Sequence, residues 1–62
     1  MKIKIAITCA NAAFDDIEEL SRILVVLADR AEGLEVSQFP ELDGLTLRDY
    51  NGNKVGKVTV EK

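Results

Sequence analysis

The chain predicts an α+β domain in the order β-α-β-β, with one helix packed on one face of a three-stranded, mostly antiparallel sheet. Three observations carry that expectation. Apolar and polar residues alternate from Met1 to Cys9, apolar residues from Ile17 to Ala31 recur at steps of three and four, and Asn51-Gly52 stands between two apolar runs. The first pattern marks a half-buried strand, the second an amphipathic helix and the third a tight hairpin.

In the first strand Met1, Ile3, Ile5, Ile7 and Cys9 share one face, and Lys2, Lys4, Ala6 and Thr8 the other. Cys9 is therefore expected inward, as a packed thiol. Residues 11 to 14 connect to the helix. Asp15-Asp16-Ile17-Glu18 places an acceptor before the first turn and a Glu three residues on, as in a capping box. The helix is expected over 15–32, about 27 Å long, and closed by Gly33. Ile17, Leu20, Leu24, Leu27, Ala28 and Ala31 share its apolar face. With Leu24 at the centre, Ile23 and Val25 flank that face and Val26 lies about 160° away, in solvent.

Residues 34–44, LEVSQFPELDG, hold no consistent period. Pro40 and Asp43-Gly44 mark a connection, and Leu34 to Ser37 is the one place where a fourth strand could form. The hairpin follows. A two-residue Asn51-Gly52 turn pairs Asp49 with Lys54 as an ion pair, Arg48 with Val55, Leu47 with Gly56, Thr46 with Lys57 and Leu45 with Val58. One face then carries Leu45, Leu47, Val58 and Val60, and the other Thr46, Arg48, Tyr50, Val55, Lys57 and Thr59. A four-residue loop would set Arg48 against Lys57, an unfavourable like-charge pair.

The same stretch, RDYNGNKVGKV, has a rival reading. Asp49, Asn51 and Asn53 alternate as the first ligands of a calcium loop do. The sixth and twelfth places of such a loop need Gly and a bidentate Glu, and here they hold Lys54 and Val60. No metal site is expected. The strands assemble in the order first, last, middle, around a core of Ile3, Ile5, Ile7, Leu20, Leu24, Leu27, Leu45, Leu47, Val58 and Val60.

Composition bounds the function. At 62 residues the chain is a single domain, 1–62, able to bury only about 60% of its unfolded surface. One cysteine and no histidine exclude an internal disulfide and a Cys/His zinc site. No apolar run approaches the ~20 residues that span a bilayer. The alternation in MKIKIAITCA is not the solid apolar stretch of a signal peptide, so a cytoplasmic location without membrane contact is expected. Neither a nucleophile elbow nor a Gly-rich phosphate loop is present, and the chain has little volume for an enclosed pocket. The expectation is a binding protein with no catalytic residue and no cofactor.

Charge divides the chain. Residues 15–43 hold nine acids and two bases, and the rest two acids and six bases, within an overall net charge of −3. Asp15, Asp16, Glu18, Glu19, Glu32, Glu35 and Glu41 are the candidate acidic contact surface, with Glu18 and Arg22 as a supporting i,i+4 pair. Lys2, Lys4, Arg48, Tyr50 and Lys57 form the alternative basic face on the open side of the sheet. Ile23, Val26 and Arg22 are an alternative apolar contact patch.

The segments ITCANAAFDD, LSRILVVLADRAE and LRDYNGNKVGKVTV together resemble a group of small prophage- and phage-encoded proteins. In that group a strand ending near "NAAF" leads to a helix resembling "ARILRxLADR" and a final "LRDxNGNxVG" hairpin. Leu20-Ser21-Arg22 and Val25-Val26 depart from the small and charged residues usual in that helix. The resemblance implies an accessory product of a mobile element in a bacterial host. The leading expectation is an inhibitor whose acidic surface mimics nucleic acid and binds a host defence or nucleic-acid-handling protein, in its most specific form an anti-CRISPR protein bound to a CRISPR effector subunit. Direct nucleic-acid contact through the basic sheet face is the lesser expectation. A homodimer packed through the sheet or Ile23/Val26 is the third.

Overall fold

Alternation in the first residues does produce a strand. In the computed structural model, which describes all 62 residues, β1 spans Lys2–Ile7, α1 Glu19–Ala31, β2 Thr46–Arg48 and β3 Lys54–Glu61. The sheet has three strands in the order β1-β3-β2, and both neighbours of β3 run antiparallel to it. This is the α+β fold and the strand order expected from the sequence.

No fourth strand forms. Residues Val36–Leu42 wind into a 3-10 helix, opened by a bond from Gln38 N to Glu35 O (2.8 Å) and one from Glu35 N to Gln38 Oε1 (2.9 Å). Pro40 cannot donate to a ladder, and Leu42 is drawn into the core instead.

Three local expectations change, each for an identifiable reason. The helix begins at Glu19, because two short turns occupy the residues expected to form its first turn. Asn11 Oδ1 accepts from Ala13 N (3.0 Å) and opens a 3-10 turn over Ala12–Asp15, and Asp16 Oδ1 accepts from Glu18 N (2.9 Å). Ile17 is left in solvent, 94% exposed. Thirteen residues make α1 about 20 Å long.

The buried helix face is turned by roughly 100° from the expected one. Glu19, Ile23 and Leu27 point inward, and Leu20 and Leu24 are each 43% exposed. The cause is Glu19, whose Oε2 accepts the amide of Tyr50 (2.9 Å) and so commits the 19-23-27 row to the sheet.

At the hairpin, Thr46 faces Lys57 and Leu47 faces Gly56 as expected, but a β-bulge between Leu47 and Arg48 sets Arg48 opposite Lys54. Val55 and Gly56 then both face inward, which buries Val55 rather than exposing it and brings Lys54 to the outer face. The tip closes through Asp49 N to Asn53 O (3.0 Å) and Gly52 N to Asp49 O (2.9 Å). Asp49 lies inside this loop, so the expected Asp49–Lys54 ion pair does not form.

Ile23, Leu27, Leu42, Leu47, Val55 and Val58 make the core, with Ile7, Phe14, Ala31, Leu34, Leu45 and Val60 packed around it. Ile3 and Ile5 were expected there, yet they are 40% and 47% exposed. The helix packs on β2, and the 3-10 helix over 36–42 packs on β3, which leaves Ile3 and Ile5 on the inner face of β1 only partly covered. The molecule is correspondingly long, 36 × 20 × 16 Å, with a radius of gyration of 12.2 Å against about 10.6 Å for a typical domain of this length. Its surface of 4483 Å² exceeds the roughly 4,000 Å² usual for its mass. Cys9, expected inside, lies beyond the end of β1 and is exposed. No helix is long and apolar enough to cross a membrane.

Candidate functional site

The stretch that suggested a cation site is built as a corner. Asp49 is buried, 4% exposed, and its carboxylate accepts four hydrogen bonds. Oδ1 takes the amides of Asn51 (2.9 Å) and Asn53 (2.8 Å), and Oδ2 takes the side-chain amides of Asn11 (2.8 Å) and Asn53 (3.2 Å). Burial works against the charged form, but these bonds outweigh it and hold the Asp49 pKa below its ordinary value. The carboxylate is saturated by donors from the protein, and nowhere do three or more acidic, Cys or His side chains converge as metal ligands. Asn11 is the residue that sequence reasoning missed. Its side chain ties the end of β1 to the hairpin across 38 positions. An Asn just ahead of a short turn was the available signal, and it pointed only to local capping.

The acidic candidates do not form one surface. Glu19 leaves the set, because it is 2% exposed and its two oxygens are taken by Arg22 Nε and Tyr50 N. Its ion pair with Arg22 at i,i+3 replaces the expected Glu18–Arg22 pair. Asp15, Asp16 and Glu18 stand exposed before the start of α1, and Glu32, Glu35 and Glu41 stand exposed after its end. The length of the helix, about 20 Å, separates the two groups.

Beside β2, α1 leaves an open cleft of about 420 Å³. Ile23, Val26, Leu27, Leu45 and Leu47 line its apolar part, and Arg22 and Arg30 lie along the helix side. Ile23 is its buried floor rather than an exposed contact, and Val26 is half-exposed at its mouth. Arg22 Nη2 donates to Arg48 O (3.2 Å) and bridges the helix to β2.

The outer face of the sheet keeps its basic candidates together. Registers Lys2–Glu61, Lys4–Thr59, Ala6–Lys57, Thr46–Lys57 and Arg48–Lys54 place Lys2, Lys4, Arg48, Lys54 and Lys57 on one side, away from the helix. All five are exposed. Lys54 joins them only because of the bulge. Glu61 is the sole acid on this face and pairs with Lys4 at 2.8 Å. Arg48 and Lys54 face each other as like charges, and Arg48 Nη1 turns to Gly52 O (3.0 Å). Tyr50, past the end of β2, is exposed but lines the helix-side cleft with Arg22 and Val26 instead of joining this face. No protein-family model, curated protein or solved structure matches the chain.

Proposed function

We propose that this protein acts by binding, and that the outer face of its sheet is a contact surface for a polyanion, in the first instance the phosphate backbone of a nucleic acid. The observation that carries the reading is the segregation of Lys2, Lys4, Arg48, Lys54 and Lys57 on an uncovered face with a single acid. Phosphate contact supplies affinity without sequence information, which suits a face with threonines and no aromatic stacking platform. The overall charge of −3 opposes the approach of a polyanion from every other side, so the field orients the molecule with its sheet inward.

Anisotropy of a labelled oligonucleotide at low salt tests the reading. Three or four neutralised phosphates predict a fall in affinity of about 40- to 150-fold between ~50 and ~200 mM salt. Reversal of charge at Lys54 and Lys57 together should abolish the signal. Absence of binding at ~20 mM salt sinks the proposal.

A second reading has its own observation. Asp15, Asp16 and Glu18 make no ion pair and crowd one end of the molecule. That cluster, with the resemblance to phage-encoded proteins, supports an inhibitor that occupies a basic groove on a host protein such as a CRISPR effector subunit. Lysine at Asp16 and Glu18 would eliminate such binding and leave oligonucleotide binding intact.

A further inference from the structure

We infer that β1 is a homodimer seam, through which two copies of this chain join their sheets edge to edge in antiparallel register with the two-fold axis at Ile5.

The inference starts from the direction of the backbone bonds. Thr8 N donates to Val55 O (2.7 Å), and on the far side of β3 Val58 N donates to Leu45 O (2.9 Å). Donors and acceptors alternate direction along a strand. The even-numbered residues of β1 therefore bond to β3, and the N–H and C=O groups of Ile3, Ile5 and Ile7 point away from the sheet. They form an open edge. Of the usual protections of such an edge, β1 has only the charges of Lys2 and Lys4 on its outer face, with no proline, bulge or inward charge.

The apolar surface beside this edge is only partly covered. Ile3 and Ile5 lie on the inner face, each close to half-exposed, because the helix packs mainly on β2. Arg22 and Val26 line the cleft beside β2. Leu24, about 160° round the helix from Val26, hence overhangs the β1 side, together with Leu20. A second copy is the occupant that matches this combination, because an antiparallel strand pair is its own complement under a two-fold.

Charge selects the register. Inner faces meet only when odd residues face odd ones. A two-fold at Lys4 would set lysine directly against lysine. A two-fold at Ala6 would carry Ile3 opposite Cys9, past the end of the strand. At Ile5, Ile5 faces Ile5 of the second copy, Ile3 faces Ile7, Lys4 faces Ala6 and Lys2 faces Thr8. All three isoleucine pairs are then hydrogen-bonded pairs, and no lysine meets another. The joined sheet presents both basic faces on the same side. Dimerisation itself needs no polyanion, so it is measured without one, and its failure leaves the preceding reading standing.

Sedimentation equilibrium from about micromolar to about millimolar protein is the experiment. The wild type should pass from monomer to dimer in that range. Ala6 is exposed, so its substitution leaves the core alone. Ala6→Glu places an acid opposite Lys4 of the second copy, twice per dimer, and should tighten association about two- to thirty-fold. Ala6→Lys should weaken it comparably, and high salt should shrink both effects. Ala6 also faces Lys57 of its own chain, a contact common to monomer and dimer. Ile5→Lys should leave only monomer with an unchanged helical circular-dichroism signal. A wild type that stays monomeric throughout, or association indifferent to both Ala6 substitutions, overturns the inference. If Ile5→Lys does not fold, the Ala6 pair decides alone.

Discussion

Gly56 is the position where one methyl group should do most harm. It sits on the bulge of β3 opposite Ile7, and a Cβ there would lie 2.0 Å from Ala6 O and 3.0 Å from Ile7 Cα. Ordinary C···O approaches are about 3.3 Å or longer, so β1 and β3 would have to separate by more than 1 Å locally. Backbone atoms are the obstacle, and no side chain can rotate to relieve it. Separation breaks the end of the β1–β3 ladder, including Thr8 N to Val55 O (2.7 Å). Overpacking strain of about 1–3 kcal/mol and one lost hydrogen bond at about 1 kcal/mol put the cost of Gly56→Ala near 2–4 kcal/mol. A domain of this length has roughly 3–9 kcal/mol in total. The melting temperature should fall by about 10–30 °C, read by circular dichroism with urea unfolding beside it. Gly33→Ala is the comparison. Its φ of +83° disfavours a side chain but nothing lies within 4 Å, so it should cost only about 1–2 kcal/mol. A Gly56→Ala protein as stable as Gly33→Ala would mean that Ile7 does not face Gly56, and the register of β1 would have to be redrawn.

Other outcomes follow from the same structure. Glu19→Ala leaves Tyr50 N and Arg22 Nε without their acceptor and should cost about 1.5–3 kcal/mol in urea unfolding, whereas Glu18→Ala should change little. Ile23→Ala should cost about 2–5 kcal/mol, and Ile17→Ser, on a side chain in solvent, less than about 0.5 kcal/mol. Asp49 has a folded-state pKa below its unfolded value, so its stabilisation is complete above the unfolded pKa and is lost as pH falls through the folded one. Melting temperature followed from about pH 7 down to about pH 2 should therefore drop less steeply in Asp49→Asn than in wild type, from a lower start. An equally steep drop would show that another carboxylate governs the acid limb.

Much of the fold was legible because local patterns have few readings. Alternation at Lys2–Ile7 leaves little but a strand, and two strands separated by Asn51-Gly52 leave little but a hairpin, so strand order and antiparallel pairing were accessible. The tip of that hairpin was not. Asp49 gains more from accepting four protein donors inside the loop than from an exposed ion pair with Lys54, and three of those donors come from residues within four positions while the fourth is Asn11. That choice inserts the bulge, buries Val55 and delivers Lys54 to the basic face. The lysines of β1 could be placed from alternation alone, and Lys54 could not.

The sequence by itself determined which residues alternate, where the chain turns and that acids and bases fall in different segments, since these depend on neighbours only a few bonds away. Tertiary structure decided which helix face is inside, because Glu19 found the amide of Tyr50 some 31 positions on. It also decided how far the helix reaches across the sheet, which leaves Ile3 and Ile5 only partly covered, and that the acids divide between two ends. Those outcomes turn on hydrogen bonds and packing between segments distant along the chain, whose balance no local pattern encodes.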